Sequence, residues 1–458
     1  TINGYVSNGY FGICVAIAQY TGTRIVIGQY NGPNPPAGFV EVFDYDTATD
    51  SWQLVGNRIT QTSNNRNDDS IGRFVDISGD GTRVITGCRG HDVPIFNSFY
   101  YNKGAVYQYT YNGTSWSLVG ENAFFFLTST GDGWFSERCA VSADGQHRVL
   151  ASIDANNYQG AVGVFRGTGT TYSLLTGSIK YGSGSNSRFG SSVTINDDGS
   201  RFAAQAQGSG YTNVYEWDGN DYMLMGSSIT GFATSTSYYD GRQSISLSGD
   251  GNRIAIGAQR HEVTHNGLQY LSGMVKIYDW DGTNWNQFGD TIIGGLGEMM
   301  GSSVSLTPDG KKVVCGGRGV NGIVKVYDLD PLGPHSHLQY LADNNNIHPV
   351  VKISDGGRYS LYGVTALPKL ANGQAERVTN QLDVLKNLHD STPVIDLVGG
   401  DVINVAIFST SYVDPGVTTD DPSDTVVVSG DQLDVNTVGT YVVRYAVTRF
   451  GLSNFVER

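Results

Sequence analysis

The sequence holds few of the arrangements that polar chemistry uses. Eight histidines are present, and two of them stand in His261-Glu-Val-Thr-His265, the spelling of a His-Glu-x-x-His motif. His261 and His265 have the spacing that sets two imidazoles on one helix face for zinc, yet Gly and Asn residues bound them in a loop. There is no Gly-x-Ser-x-Gly elbow, and Gly182-Ser-Gly-Ser185 reads as a loop, so no catalytic residue is assigned. Asp420, Asp421 and Asp424 crowd one segment near the C-terminus. Clustered carboxylates can hold calcium, and a solvated acidic loop is the competing reading. Asn112-Gly-Thr114 is the sole Asn-x-Ser/Thr sequon, which makes Asn112 the candidate glycosylation site if the chain is secreted by a eukaryote.

Composition narrows the function classes. Among 458 residues there are 61 glycines, and charged residues make up 16%, which fits short strands and tight turns. The net charge is −14 without a Lys/Arg cluster, which excludes a phosphate-tracking surface and so a nucleic-acid partner. No apolar run approaches the ~18–20 residues of a membrane-spanning helix. The chain begins at Thr1 without a signal-like segment, which reads as a processed product or part of a longer chain. Cys14, Cys88, Cys139 and Cys315 match no metal motif and read as buried small hydrophobes. Cys88 and Cys139, in consecutive repeats, are the candidate pair for a bridge.

The elements that must position any site form a repeat. A turn recurs at Tyr20-Thr-Gly22, Asp80-Gly81, Asp144-Gly145, Asp198-Gly199, Asp250-Gly251, Asp309-Gly310 and Asp355-Gly356. The gaps between its glycines are 59, 64, 54, 52, 59 and 46 residues. Asp-Gly between alternating apolar stretches is a hairpin signal. An alternating strand precedes each turn, as in Ser192-Val-Thr-Ile195, Ser244-Ile-Ser-Leu247 and Ser303-Val-Ser-Leu306. A basic residue and an apolar run follow it. That basic position is read as Arg24, Arg83, Arg148, Arg201, Arg253, Lys312 and Arg358, each expected to clasp the Asp of its own turn. A third strand of period two follows, such as Gly273-Met-Val-Lys-Ile-Tyr278. A fourth opens on an aromatic residue, as in Trp52-Gln-Leu-Val-Gly56 and Trp116-Ser-Leu-Val-Gly120. Four strands per unit at this period make a propeller blade.

Phe11-Gly12, Phe189-Gly190, the Asp-Gly turns and the Gly-x-Val-x-Val-Tyr strands resemble WD40-like and integrin-α-like (FG-GAP type) propeller repeats over residues 1 to about 365. The resemblance implies a propeller. Calcium loops of the Asp-x-Asp-x-Asp-Gly type are absent, and Asp44-Tyr-Asp46 and Asp279-Trp-Asp281-Gly282 read as turn chemistry. Pro393-Val-Ile-Asp-Leu397 and Val435-Asn-Thr-Val-Gly-Thr-Tyr-Val-Val-Arg-Tyr445 resemble bacterial-type Ig-like domains of the HYR kind, common on surface proteins and adhesins. Sialidase-type propellers carry Asp boxes, of which Asp281-Gly-Thr-Asn-Trp285 and Asn112-Gly-Thr-Ser-Trp116 are compressed imitations.

The expected architecture is all-β. A seven-bladed β-propeller at 1–367, closed by the N-terminal residues pairing with an incomplete last blade, precedes a linker at 368–392. An Ig-like β-sandwich, cut short by Arg458, follows at 393–458. Insertions at 60–70, 88–103 and 258–272, with Phe96, Tyr100, Tyr101, Tyr239 and Tyr270, are the expected contact surface. The expected function is a non-enzymatic extracellular or cell-surface structural or adhesion protein, a building block of a coat or filament. Its partners would be other extracellular proteins, copies of itself or glycans. The alternative is a carbohydrate-active or carbohydrate-binding propeller.

Overall fold

The structure is a computed structural model. It describes residues 2–3, 11–29, 38–60, 71–88, 105–122, 135–167, 172–232, 244–265, 268–318 and 322–330, and elsewhere the strands named below. The chain divides into two compact units, Thr1–Leu385 and Lys386–Arg458.

The first unit is all-β and propeller-like, with almost no helix. Six blades are antiparallel sheets whose strands follow one another in chain order, a separate hairpin standing between the second and third strands of blades 2 and 5. Their first strands are Phe11–Ile17, Phe74–Ile77, Phe135–Val141, Phe189–Ile195, Ser244–Leu247 and Met300–Leu306. Their second strands are Arg24–Gln29, Arg83–Cys88, His147–Ser152, Arg201–Ala206, Arg253–Ala258 and Lys312–Gly317. Third strands are Phe39–Asp46, Ala105–Tyr111, Ala161–Arg166, Tyr211–Trp217, Met274–Trp280 and Ile323–Asp330. Outer strands begin at Ser51, Trp116, Ser173, Tyr222, Trp285 and Gly333. Six blades, not the expected seven, arise this way.

A further four-stranded sheet joins both ends of the unit. Val350–Ile353 pairs with Tyr359–Val364, which lies beside Gln381–Lys386, and the N-terminal Ile2–Asn3 pairs with that last strand. Gln381–Lys386 lies inside the stretch expected to be linker. Val350–Ile353 packs against the first strands of blades 6 and 1, and Ile2 joins the apolar cluster of Phe11, Ile25, Ile27 and Phe43.

Burial follows the pattern of the sequence. In Ser244–Leu247, Ile245 and Leu247 are buried and the serines between them half-buried. Second strands are buried on both faces after their first residue, because each lies inside a sheet sandwiched between neighbouring sheets. Blade meets blade through clusters such as Ala203, Val214 and Ile229 with Ile245, Ile254 and Ile256.

The first turns of blades 2, 3, 5 and 6 carry one network, in which Asn196 replaces the hydroxyl in blade 4 and which blade 1 lacks. The glycine has positive φ (71° at Gly81, 68° at Gly251), a region costly for a residue with a Cβ. The Asp carboxylate accepts from the hydroxyl two residues before it and the N–H two after, as Asp250 does from Ser248 Oγ (2.6 Å) and Asn252 N (2.9 Å). The same hydroxyl accepts the N–H of the basic residue, Arg253 N to Ser248 Oγ at 2.9 Å. The basic side chain therefore does not clasp its own turn. In blades 1, 4, 5 and 6 its register partner on the third strand is an acid: Arg24 faces Asp44, Arg201 Glu216, Arg253 Asp279 and Lys312 Asp328. Directly opposed residues lie about 5 Å apart, and the turn carboxylates are already engaged by their own turns. Arg24 and Arg253 bind their acids through two nitrogens (2.6–2.7 Å) and also donate to the next blade's turn carbonyl, Gly81 or Gly310 (3.1 and 2.8 Å).

In blade 3 the basic position falls on His147, whose N–H binds Ser142 Oγ at 3.0 Å; Arg148 is one residue late. It is 1% exposed and lies over the Tyr172 ring at 3.2 Å. Burial lowers its pKa to about 10, opposed by Tyr172. The expected Cys88–Cys139 bridge is also corrected, since Cys139 remains a thiol, as do Cys14 and Cys315.

Among its described residues the second unit holds two antiparallel sheets, Ile395–Leu397 with Val417–Thr419, and Val426–Gly430, Val443–Arg449 and Leu452–Glu457. The final strand lies where the sequence was expected to stop short of one. Asp420, Asp421 and Asp424 lie outside the described residues.

Arg253→Met should destabilise the protein by ~1–2 kcal/mol, since a charge-assisted pair and an inter-blade hydrogen bond are lost at a partly exposed site. Urea unfolding against wild type measures it, and an unchanged midpoint would refute the bracing role. Acid should act on the turns as well. Burial alone raises the carboxyls of Asp80, Asp144, Asp198 and Asp250, but hydrogen bonds from neighbouring hydroxyls, backbone N–H groups and, at Asp144, His147 outweigh it, so each is held below the usual range. The unfolded carboxylates, at about 3.9, then take up protons first. Stability is full above that pH and falls as the pH drops through the lower folded values. Urea midpoints at pH 7, 5, 4 and 3 should be flat and then fall, and Asp250→Asn should shallow the fall.

Candidate functional site

The first strands of the blades surround a cavity of about 200 Å³. Strand register sorts its lining into two tiers. The upper tier is Cys14, Phe74, Arg138, Ser192, Ser244 and Ser303, and the lower is Ala16, Asp76, Ala140, Thr194, Ser246 and Ser305. Both belong to the alternating inner strands, whose intervening residues, such as Val75, Ile245 and Val304, are buried and border the same cavity.

These side chains do structural work first. The first strand is a sheet edge, and its outward N–H groups need acceptors. Val75 N–H donates to Cys14 Sγ (3.4 Å), Val141 N–H to Asp76 Oδ2 (2.9 Å), Leu247 N–H to Thr194 Oγ1 (3.4 Å), Val304 N–H to Ser244 Oγ (2.9 Å) and Leu306 N–H to Ser246 Oγ (3.0 Å). A hydroxyl that accepts an N–H keeps its own proton to donate. Blades 4 and 5 thus present hydroxyl donors at Thr194, Ser244 and Ser246. Blades 2 and 3 present charge: Asp76, and Arg138 lying over the Phe74 ring at 4.2 Å with its Nε donating to Ser191 O at 2.9 Å. Burial, then Asp76 and Cys14, push the Cys139 thiol well above its ordinary range, so it is no thiolate nucleophile at neutral pH.

The two ends of the cavity differ. Strand alternation puts the first–second and third–fourth turns at one end. That end has Gln19 and Asp197 on the cavity wall, and Tyr20, whose hydroxyl is pushed up by burial and by Asp197, Asp144, Asp80 and Asp198. Second–third and blade-to-blade connections leave from the other end. Two of these contain hairpins, Val93–Ile95 with Ser98–Tyr100, and Glu262–His265 with Leu268–Leu271. Buried polar atoms without partners also lie toward this end, among them Gln205 Nε2 and Oε1, Thr212 Oγ1 and Ser272 Oγ.

The residues singled out by sequence are scattered. Asn112 is exposed on a turn, its Oδ1 accepting from Thr114 N (3.0 Å) and Ser115 N (2.8 Å). Asp46 and Asp281 close similar turns, as with Asp281 and Thr283 N at 2.7 Å. His261 precedes the hairpin that carries His265 and Tyr270, and no group of three metal-ligating side chains occurs among the described residues. Phe96, Tyr101 and Tyr239 lie outside the described residues, and Tyr100 ends a hairpin strand. Asp76 and Arg138 went unmarked, although the polar residues alternating along the inner strands were a signal for the cavity wall.

Native-state labelling with iodoacetamide at pH 8, mapped by mass spectrometry, should modify the half-buried Cys14 and leave Cys315 untouched until unfolding. Cys315 is fully buried and its thiol is pushed far up by desolvation. Equal rates would refute this placement.

No family model and no curated protein matches the chain. Solved structures of similar fold include a putative 6-phosphogluconolactonase from Bacteroides fragilis, at TM-score 0.50 and 12% identity over 75% of this chain and 86% of that one. A second protein so named, from Bacteroides uniformis, is similar at 0.49 and 14% over 73% and 86%. Hydrazine synthase of Kuenenia stuttgartiensis is similar at 0.51 and 14% over 84% and 97%. Such identities speak for the fold alone. They correct one expectation: a repeat this regular was read as a non-enzymatic structural or adhesion block, yet chains of the same fold carry enzyme names. Regularity of the blades is therefore no ground for a passive scaffold.

Proposed function

We propose that this chain is a carbohydrate-binding or carbohydrate-active propeller that takes a polyhydroxylated molecule of monosaccharide size into the axial cavity. The observation that carries the reading is the division of the cavity wall into a hydroxyl side (Thr194, Ser244, Ser246) and a charged side (Asp76, Arg138). A sugar acid or its lactone matches both, its hydroxyls meeting the serines and its carboxylate or carbonyl meeting Arg138. A volume near 200 Å³ falls below the ~300–1,000 Å³ of sites for larger ligands. The likeness in fold to a putative 6-phosphogluconolactonase makes sugar lactones the first substrates to try. The ligand enters from the end that carries the long connections, since loops on a rigid scaffold carry specificity.

Two architectural readings belong with this one. The composite sheet from Ile2–Asn3 to Val350–Ile353 is read as a seventh blade that closes the ring, supported by its packing against blades 6 and 1. The two sheets of residues 386–458 support an Ig-like reading of the second unit, and Asn112 is kept as the glycosylation site on its exposed turn.

Calorimetric titration with D-gluconate, glucono-δ-lactone and D-glucose, with a lactone hydrolysis assay alongside, tests the proposal. Saturable binding is expected, weakened about tenfold or more by Arg138→Met, equivalent to one lost charge-assisted hydrogen bond. Asp76→Asn keeps an acceptor for Val141 N–H and should alter ligand response more than stability. Absence of binding by all three compounds would sink the reading.

A further inference from the structure

One row of blade 4 breaks the repeat. In the other five blades the fifth residue of the second strand is tiny (Gly28, Gly87, Ala151, Gly257, Gly316), and its register partner on the third strand is Val40, Val106, Val162, Val275 or Val324. The small residue has a packing reason, since a Cβ on Gly28 or Gly257 would lie 2.0 or 2.3 Å from the next blade's backbone oxygen. Blade 4 instead pairs Gln205 with Thr212. Both are 0% exposed. Neither atom of the Gln205 amide has a hydrogen-bond partner, nor has Thr212 Oγ1. A buried amide and hydroxyl left unsatisfied are destabilising, and native folds rarely keep them without an occupant.

The row leads to the axis. Gln205 is also the register partner of Ser192 on the first strand, 8% exposed and part of the cavity wall. Direct partners share a face with Cβ atoms about 5 Å apart, so Ser192, Gln205 and Thr212 form a continuous polar strip running outward from the cavity. A glutamine amide on its flexible stem can turn past a serine toward the cavity. It offers donors and an acceptor together, and the flanking hydroxyls offer the same. That is the complement of a vicinal diol.

We infer that Ser192, Gln205 and Thr212 form a recognition subsite for the diol end of the axial ligand, and that this row sets which polyhydroxylated molecules bind. The inference rests on the carbohydrate reading above.

The double variant Gln205→Ala/Thr212→Val rebuilds the Ala–Val pair of blade 3, and Ser192→Ala alters only the rim. Thermal unfolding and calorimetric titration with D-gluconate compare both with wild type. The expected result is a midpoint unchanged or raised in the double variant, with affinity about tenfold weaker or worse, equivalent to about 1.4 kcal/mol. Ser192→Ala should weaken binding by a smaller factor and carries the test if the double variant does not fold. Unchanged affinity in the variants overturns the subsite and leaves the carbohydrate reading standing. A lowered midpoint with unchanged affinity assigns the row to a structural water and likewise overturns the subsite. Failure of wild type itself to bind sinks the carbohydrate reading and the subsite with it.

Discussion

The fold depends on how the innermost strand of each blade disposes of its free edge. A four-stranded sheet standing on an axis exposes a row of backbone N–H groups there, and leaving them unpaired costs more than any single apolar contact restores. Here neighbouring blades supply one another's acceptors, the earlier blade to the later at the cavity wall and the later to the earlier at the turn end. At the cavity wall they are side chains, from Cys14 and Asp76 to Ser244 and Ser246. At the turn end they are backbone carbonyls. Tyr20 N–H binds Gly79 O, Gly79 N–H binds Ala143 O, Asp144 N–H binds Asp197 O, Asp197 N–H binds Gly249 O and Gly249 N–H binds Pro308 O, at 2.7 to 3.1 Å. Pro308 has no N–H to pass onward. Farther from the axis, Arg24, Arg83 and Arg253 bridge to the turn of the following blade.

This arrangement ties structure to site. The side chains that close the sheet edges are those that line the cavity, so the wall is rigid because it is structural. A hydroxyl fixed by accepting a backbone N–H has its remaining donor direction restricted. Preorganised donors of this kind bind polar ligands with little ordering cost. The turn end is different, since its polar groups are consumed by the repeat's own network. Gln205, Thr212 and Ser272, whose buried polar atoms lack partners, lie toward the opposite end.

Much of this was legible in the chain. Asp-Gly with positive-φ glycine, period-two alternation and the aromatic opening of the outer strand placed the strands of six blades. The aromatics pair across strands as alternation implies, Tyr111 with Trp116 and Trp280 with Trp285 at 5.1 and 5.4 Å. The basic residue after each turn was visible, but its partner was not, because an acid 15 to 26 residues away becomes nearest only through register. His147 and Arg148 were confused for a similar reason. Adjacent residues on a strand face opposite sides, and one position decides between a surface clasp and a buried cation under Tyr172.

By itself the sequence determined strand, turn and repeat, because these rest on local backbone preference and on alternation between apolar and polar positions. Only the tertiary structure decided that six inner strands bring Asp76, Arg138 and a set of serines around one cavity. It likewise decided that Ile2–Asn3 meets a strand some 380 residues later, and that Gln205 and Thr212 stand buried without partners. The physical reason is that a propeller spaces its site residues one blade apart. Their convergence is a property of the ring and of no shorter stretch of chain.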